Sequence, residues 1–203
     1  MAEARRLGAE SSQVRARFID AAEAILAEEG EHGLSARQVA ARAGLKAQLL
    51  YYYFRTMDDV LLAVVERVNQ RRLARFEAAL AAPEPLRALW QQMIDPGSAA
   101  LASAFTALAA QRAVIGGEIV AAAREFRSLQ TRVVAGLMPP PKAGEEPVSA
   151  AGLVMIAASL ARMLVNEQAL GLDEGHAEAL AIVERMLDRL AAKSDGAHPP
   201  PPQ

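Results

Sequence analysis

Apolar residues recur every three or four positions along most of the chain, which is the period of an amphipathic helix. In residues 12–29 they mark one face, formed by Phe18, Ala21, Ala22, Ile25 and Leu26. The same period continues in later segments, at about residues 58–81, 85–93, 98–113, 117–137, 148–170 and 174–192. No stretch shows the alternation of apolar and polar residues that a half-buried strand requires. Together with two short helices within residues 34–54, these segments predict an all-α chain of about nine helices.

Two short helices with a glycine between them are predicted within residues 34–54. Ser35 is a favourable N-cap, and Gln38 stands three residues later, which is the spacing of a capping box. Gly44 falls where a tight turn needs a positive φ, and a second short helix should begin near Ala47. The two crossed helices would share a small core. This is the pattern of a helix-turn-helix, whose second helix enters the major groove of DNA.

Charge and aromatic content single out the same stretch. No acidic residue lies between His32 and Met57, whereas positive charge is supplied by Arg37, Arg42, Lys46 and Arg55. A local positive stretch suits a phosphate backbone. The only tyrosines are consecutive, at Tyr51, Tyr52 and Tyr53. Three consecutive side chains cannot all point to one narrow helix face, so at least one is expected at the surface.

These residues resemble a known signature. Gly44-Leu45, then Leu50-Tyr51-Tyr52-Tyr53-Phe54, then Asp58-Asp59-Val60-Leu61 look like the DNA-binding region of TetR-type transcriptional regulators. The resemblance is specific over about residues 14–65. Two positions depart from the family pattern, since the family often has Ser or Thr at Lys46 and usually has Lys at Met57.

The expected DNA contacts follow from this segment. The amide of Gln48 can pair with adenine, Ala47 and Leu49 can touch a thymine methyl, and Arg37 and Lys46 can reach bases or phosphates. Tyr51 and Tyr53 resemble the phosphate-contacting positions of the family. Thr56, at a helix N-terminus, is a further candidate for phosphate contact.

The resemblance also implies a domain plan. Residues 1–57 would form the helix-turn-helix domain, with residues 1–11 as a flexible arm, and residues 58–192 would form a helical domain for effector binding and dimerisation. Residues 193–203, which end in four prolines and a glutamine, are expected to be disordered. A repressor of this kind would bind a palindromic operator as a homodimer and be released by a small hydrophobic effector. The apolar helices at about residues 148–170 and 174–192 are the candidates for the dimer contact.

An effector site is predicted where bulky residues alternate with alanines. Its candidate ligand contacts are Trp90, Met93, Phe105, Phe126, Met155, Arg162 and Asn166. Arg162 has two interpretations. It either meets an anionic part of the ligand or forms a salt bridge at the edge of the dimer.

Composition limits the other possibilities. The net charge of −2 excludes a globally basic nucleic-acid coat, and the absence of cysteine excludes disulfides and thiolate sites. The three histidines have no metal-ligand spacing, and no phosphate-binding loop or nucleophile motif is present. We therefore predict no catalytic residue, no metal site and no cofactor. Without a signal peptide or an uncharged span of bilayer length, a cytoplasmic protein without membrane contact is expected. The alternatives are a helical protein-interaction module that does not bind DNA, and a helical enzyme.

Overall fold

The computed structural model describes residues 2–141, 144 and 146–195, and every regular element within those ranges is helical. Nine α-helices follow one another: α1 (Ala2–Glu29), α2 (Ala36–Ala43), α3 (Ala47–Tyr53), α4 (Met57–Leu80), α5 (Pro85–Met93), α6 (Ala99–Gln111), α7 (Ala113–Leu137), α8 (Ala150–Ala169) and α9 (His176–Asp195). Short 3-10 turns at Glu31–Gly33 and Pro96–Ser98 precede α2 and α6. The predicted all-α class and number of helices are confirmed for the described residues.

The helices divide into two compact units. The first contains the described residues up to Arg71 together with Ala100–Ala122, and the second contains Arg72–Ala99 together with the described residues from Ala123 onward. Each unit therefore draws on two separate stretches of the chain, whereas the sequence predicted continuous domains at residues 1–57 and 58–192. Those domain boundaries stay a prediction.

The core of the first unit joins α1, α2, α3 and α4. Phe18, Leu50 and Val64 have no exposed surface there. Two residues from much later in the chain complete this core, because Leu108 of α6 and Ile115 of α7 are also fully buried in it. Burial of each side chain of this size contributes roughly 1.5–3 kcal/mol to the free energy of unfolding. The helix-turn-helix core is thus held by residues far from it in sequence.

The second unit has two smaller apolar clusters. One is built on Phe76, Ala79 and Leu89, and the other on Trp90, Ala161 and Leu164. Helix α5 packs against α8 and α9. Its start is favoured by Pro85 at the first helical turn, where a missing N–H costs nothing.

The chain ends differ from expectation. Helix α1 begins at Ala2, so residues 2–11 are helical where the sequence predicted a flexible arm. The segment is rich in Ala, Glu, Arg and Leu, which are strong helix formers, and its high polarity was misread as irregular structure. At the other end, residues 193–195 continue α9. The predicted disorder of residues 196–203 lies outside the described residues.

Candidate functional site

The first helix of the helix-turn-helix, α2, is capped at both ends. At its start the Ser35 hydroxyl accepts a hydrogen bond from the backbone N–H of Gln38 at 3.3 Å and donates to the Gln38 side chain at 2.5 Å. At its end Gly44 has a φ of 65°, and its N–H and that of Leu45 bond back to the carbonyls of Ala41 and Ala40. This is a Schellman ending, and it confirms the predicted cap and left-handed glycine.

Helix α1 supports the turn between α2 and α3. The Arg17 guanidinium donates a hydrogen bond of 2.5 Å to the carbonyl of Ala43, one of the last carbonyls of α2. The same guanidinium would lie 3.3 Å from a Cβ placed on Gly44. The turn that orients α3 is therefore fixed by its own backbone and by a cation from α1.

Helix α3 exposes a reading surface. A surface groove is lined by Gly44, Leu45, Lys46, Gln48, Leu49 and Tyr52. Gln48 and Lys46 are exposed, whereas Ala47 and Leu49 are half-buried and pack partly against the core. Lys46 is the N-cap of α3, and its side chain makes no capping bond. The departure from a Ser or Thr cap therefore leaves this helix start without side-chain closure.

The three tyrosines take different places. Tyr51 is 55% exposed and Tyr52 is 79% exposed. Tyr53 is half-buried, with its ring 6.3 Å from that of Phe18 and 5.1 Å from that of Tyr52. Tyr51 and Tyr53 were the predicted DNA contacts, but Tyr52 lines the groove beside Gln48. Residues four apart share a helix face, so the spacing of Gln48 and Tyr52 was the signal that could have indicated Tyr52.

The positive charges near the groove are not equivalent. Arg42 forms a salt bridge with Glu28 of α1, with one contact at 2.7 Å, and this bond lowers the pKa of the Glu28 carboxyl. Arg37, Lys46 and Arg55 are exposed and have no ion-pair partner among the described residues. Of the four cations in the stretch, these three remain available to phosphates.

A second capping box starts α4. The N–H of Asp59 donates to the Thr56 hydroxyl at 3.1 Å, and the N–H of Thr56 donates to the Asp59 carboxylate at 3.0 Å. The predicted cap at Thr56 is confirmed, although the hydroxyl is already used within the protein. Arg112, between α6 and α7, pairs with Glu31 at 2.6 Å and with Asp58. The hydrogen bond to Glu31, followed by that to Asp58, raises the pKa of this guanidinium.

An exposed second helix behind a fixed turn, with unpaired cations around it, defines the helix-turn-helix class of DNA-binding proteins. Residues 18–64 match the family model described as bacterial regulatory proteins, tetR family. The resemblance read from the sequence is therefore confirmed over residues 18–64.

One curated relative is an uncharacterized HTH-type transcriptional regulator in the dhlA 5′ region of Xanthobacter autotrophicus. It is 34% identical over 87 residues, which cover 40% of this chain and 43% of that protein. The chain thus spans less than half the length of this relative.

Solved structures match over a larger share. A TetR-family transcriptional regulator from Streptomyces coelicolor matches with a TM-score of 0.67 at 21% identity, covering 88% of this chain and 96% of that one. A transcriptional regulator from Rhodococcus sp. Rha1 matches at 0.65 and 22% identity, covering 92% and 99%. The reduced form of E. coli NemR matches at 0.69 and 16% identity, covering 85% and 96%. At these identities the likeness shows the fold.

The second unit contains a cavity of about 120 Å³ lined by residues of α4, α5, α7, α8 and α9. Its lining is almost entirely apolar and consists of Phe76, Leu86, Leu89, Trp90, Met93, Gln130, Val134, Leu153, Val154, Ile156, Ala157, Leu160, Val183, Met186, Leu187 and Leu190. No charged residue is among these lining residues. Ile156 is 68% exposed, so the cavity reaches the protein surface beside it.

The structure brings together only part of the predicted ligand contacts. Trp90 and Met93 line the cavity. Phe105 instead packs against the core of the first unit, and Phe126 stacks edge-on with Phe76, with ring centroids 5.3 Å apart. The remaining three candidates lie on the outer face of α8, away from the lining: Met155, Arg162 and Asn166. Periodicity placed these three on one face correctly, but it could not tell the inner face from the outer one.

Helices α8 and α9 and the residues next to them carry much exposed apolar surface. Eight large hydrophobic residues on or next to α8 and α9 are exposed: Val148, Met155, Ile156, Met163, Leu170, Leu172, Ile182 and Met186. Helix α8 is also the one described helix that is long and apolar enough to cross a membrane, although only 22% of its most apolar window is buried. Within the described residues, no cluster of His, Cys, Asp or Glu could hold a metal ion.

Proposed function

We propose that the protein is a cytoplasmic transcriptional repressor that binds a palindromic operator as a homodimer and releases it when a small hydrophobic effector binds. The observation that carries this proposal is the groove on α3, where Gln48 and Tyr52 are exposed beside Lys46. An exposed amide can read adenine through paired hydrogen bonds, and the neighbouring cations can hold phosphates on either side.

Arg37, Lys46, Gln48 and Tyr51 are the proposed side-chain contacts that need no rearrangement, because all four are exposed. Ala47 and Leu49 would offer small apolar contacts from the half-buried side of α3. Tyr53 would contribute its hydroxyl, since its ring packs inward. Thr56 would donate its hydroxyl hydrogen, because the hydroxyl only accepts in the cap of α4, whereas its backbone N–H is already donated to the Asp59 carboxylate.

The exposed apolar side chains of α8 and α9 support the dimer. Large exposed apolar surfaces are uncommon on a monomer and favour a partner. A second copy of the chain, related by a two-fold axis, would present the same face and cover it. Two reading helices held in this way would account for recognition of a palindrome.

The cavity in the second unit supports the effector. It is lined by side chains of α4, α5, α7, α8 and α9, and the last two of these helices also carry the proposed dimer face. A ligand that displaced them would therefore change the dimer contact, and through it the spacing of the two reading helices. A ligand shifts this equilibrium only as far as it binds the two states differently.

Selection of bound sequences from random duplex DNA tests the reading function. We expect an enriched palindrome, with retention that falls steeply as salt is raised because phosphate contacts release counterions. Arg37→Ala with Lys46→Ala should flatten that salt dependence. If no sequence is enriched and the wild-type chain shows no salt-dependent retention, the protein-interaction alternative replaces the repressor.

A further inference from the structure

Trp90 is the most unusual residue of the cavity. It is 4% exposed, and its indole N–H has no hydrogen-bond partner among the described residues. The residues packed around it are apolar, among them Met93, Leu160 and Val183. A buried donor without an acceptor is unfavourable, because the bond it made to water in the unfolded chain is not replaced.

The volume of the cavity limits what could supply the acceptor. An apolar cavity of about 150 Å³ in another protein stays dry and binds benzene, and the cavity here is about 120 Å³. It therefore suits a molecule of about one ring. The opening beside Ile156 leaves room for a small substituent.

The lining also limits the charge of the ligand. The polar side chains among the described lining residues are Trp90 and Gln130, and neither carries a charge. An ionised group placed there would lose its hydration without meeting a counter-ion. Arg72 is a cation of the same unit, and its guanidinium lies 4.1 Å above the ring of Phe126. Phe126 packs against Phe76, so this cation is separated from the cavity by aromatic rings.

We infer that the effector is an uncharged molecule of about one ring that presents a hydrogen-bond acceptor, such as a ketone or ester oxygen, to the indole N–H of Trp90, which is shielded here and would be reached through a turn of the indole ring. This inference rests on the proposed function, because it names the ligand class of the same effector site. It replaces Arg162, which is exposed on the outer face of α8, as the polar determinant of ligand choice.

Three small probes of similar shape separate the possibilities. Cyclohexanone carries the acceptor, methylenecyclohexane replaces the oxygen with a CH2 group, and cyclohexanecarboxylate adds a negative charge. Trp90 is the only tryptophan of the chain, so a ¹⁵N-labelled protein gives a single indole N–H signal by NMR. We expect cyclohexanone to move that proton signal downfield and to bind about tenfold more tightly than methylenecyclohexane.

The variant Trp90→Phe keeps an aromatic ring and removes the donor. Its preference for the ketone over the alkene, measured by calorimetry, should fall to about 1. Arg162→Ala is the matched control and should keep the tenfold preference. Because the wild-type indole signal is read directly, the inference remains testable even if Trp90→Phe does not fold.

The opposing results are distinct. If the ketone and the alkene bind equally and the indole N–H signal does not move downfield, the ligand forms no hydrogen bond with Trp90. Tighter binding of the carboxylate overturns the uncharged class and points to Arg72. If none of the probes binds to a protein that still selects its DNA sequence, the inference fails and the reading function stands. Ketone binding by a protein that selects no DNA supports the site and overturns the repressor.

Discussion

Single residues shape and position the surface of α3 that we propose reads DNA, and the sequence predicted several of them because their roles are local. The cap at Ser35 and the positive φ of Gly44 depend on neighbours within a few positions, so both could be predicted. Tyr52 was missed, because three consecutive tyrosines give no indication of which one faces the groove until the helix phase is known.

Replacing Gln48 by alanine tests the base-reading role. We expect the best operator to lose roughly 1–3 kcal/mol of binding free energy and the sequence preference to relax at one position, because the paired hydrogen bonds to adenine are lost. The measurement is selection from random DNA, followed by titration of the best site.

Two further variants control that experiment. Gln70→Ala removes an exposed glutamine on α4 whose amide donates to Glu66, and it should leave the selected sequences unchanged. Tyr53→Phe removes the hydroxyl that we propose contacts phosphate and should weaken binding to all sequences about equally. An unchanged sequence preference in Gln48→Ala would remove that residue from base readout.

At the scale of elements, the turn between α2 and α3 depends on the positive φ of one glycine. Helix positions were predictable from periodicity, whereas the start of α1 was not, because polar residues with strong helix propensity carry no periodic signal there. The turn itself was predictable from one glycine.

Gly44→Ala should lower the stability of the first unit by roughly 1–2 kcal/mol, since an L-residue at this φ brings its Cβ close to the backbone. The added Cβ would also press on the Arg17 guanidinium at 3.3 Å. Denaturant unfolding of the full chain measures the loss.

Gly117→Ala provides the matched control in the same unit. Gly117 lies within α7, is exposed and has open space where a Cβ would be added. Its substitution should be neutral or stabilising by up to about 1 kcal/mol, because alanine favours helix. Equal effects at the two glycines would contradict the strained-turn explanation.

At the scale of the whole molecule, the sequence did not indicate that α6 and α7 help to build the DNA-binding core. Leu108 and Phe105 lie among alanines in a helix that is apolar on several sides, and the sequence therefore assigned this region to the effector site. A contact between residues so far apart in the chain leaves no local pattern. The cavity was missed for the same reason, except at Trp90 and Met93.

Leu108→Ala should therefore destabilise the reading unit by roughly 2–5 kcal/mol, as expected for a large buried side chain. Hydrogen exchange of the α2 and α3 amides should accelerate, although the substitution lies in α6. Val120→Ala, at a valine of α7 that is 43% exposed and lies in the same unit, should change stability by no more than about 0.5 kcal/mol. If hydrogen exchange of the α2 and α3 amides were unchanged in Leu108→Ala, Leu108 would not stabilise these two helices.

Ile156→Glu tests the dimer face. Placing a charge on this exposed apolar position should convert the dimer to a monomer, because the carboxylate would be buried without a partner. Light scattering at micromolar concentration gives the mass. Val114→Glu, at a valine that is 68% exposed on α7, is the control and should keep the dimer. A monomeric wild-type chain would remove the homodimer from the proposal.

The first unit combines the described residues up to Arg71 with Ala100–Ala122, so its helix-turn-helix cannot be exchanged between proteins as one continuous segment. A chimaera that takes only residues 1–57 from this chain would leave Phe18 and Leu50 facing whatever side chains replace Leu108 and Ile115. Operator specificity should therefore be transplantable between relatives only when residues 100–122 travel with the reading helix. A fusion protein with a single junction after residue 57 would keep the side chains of α3 that we propose contact bases. It would lose the core contacts from residues 100–122 that stabilise α3.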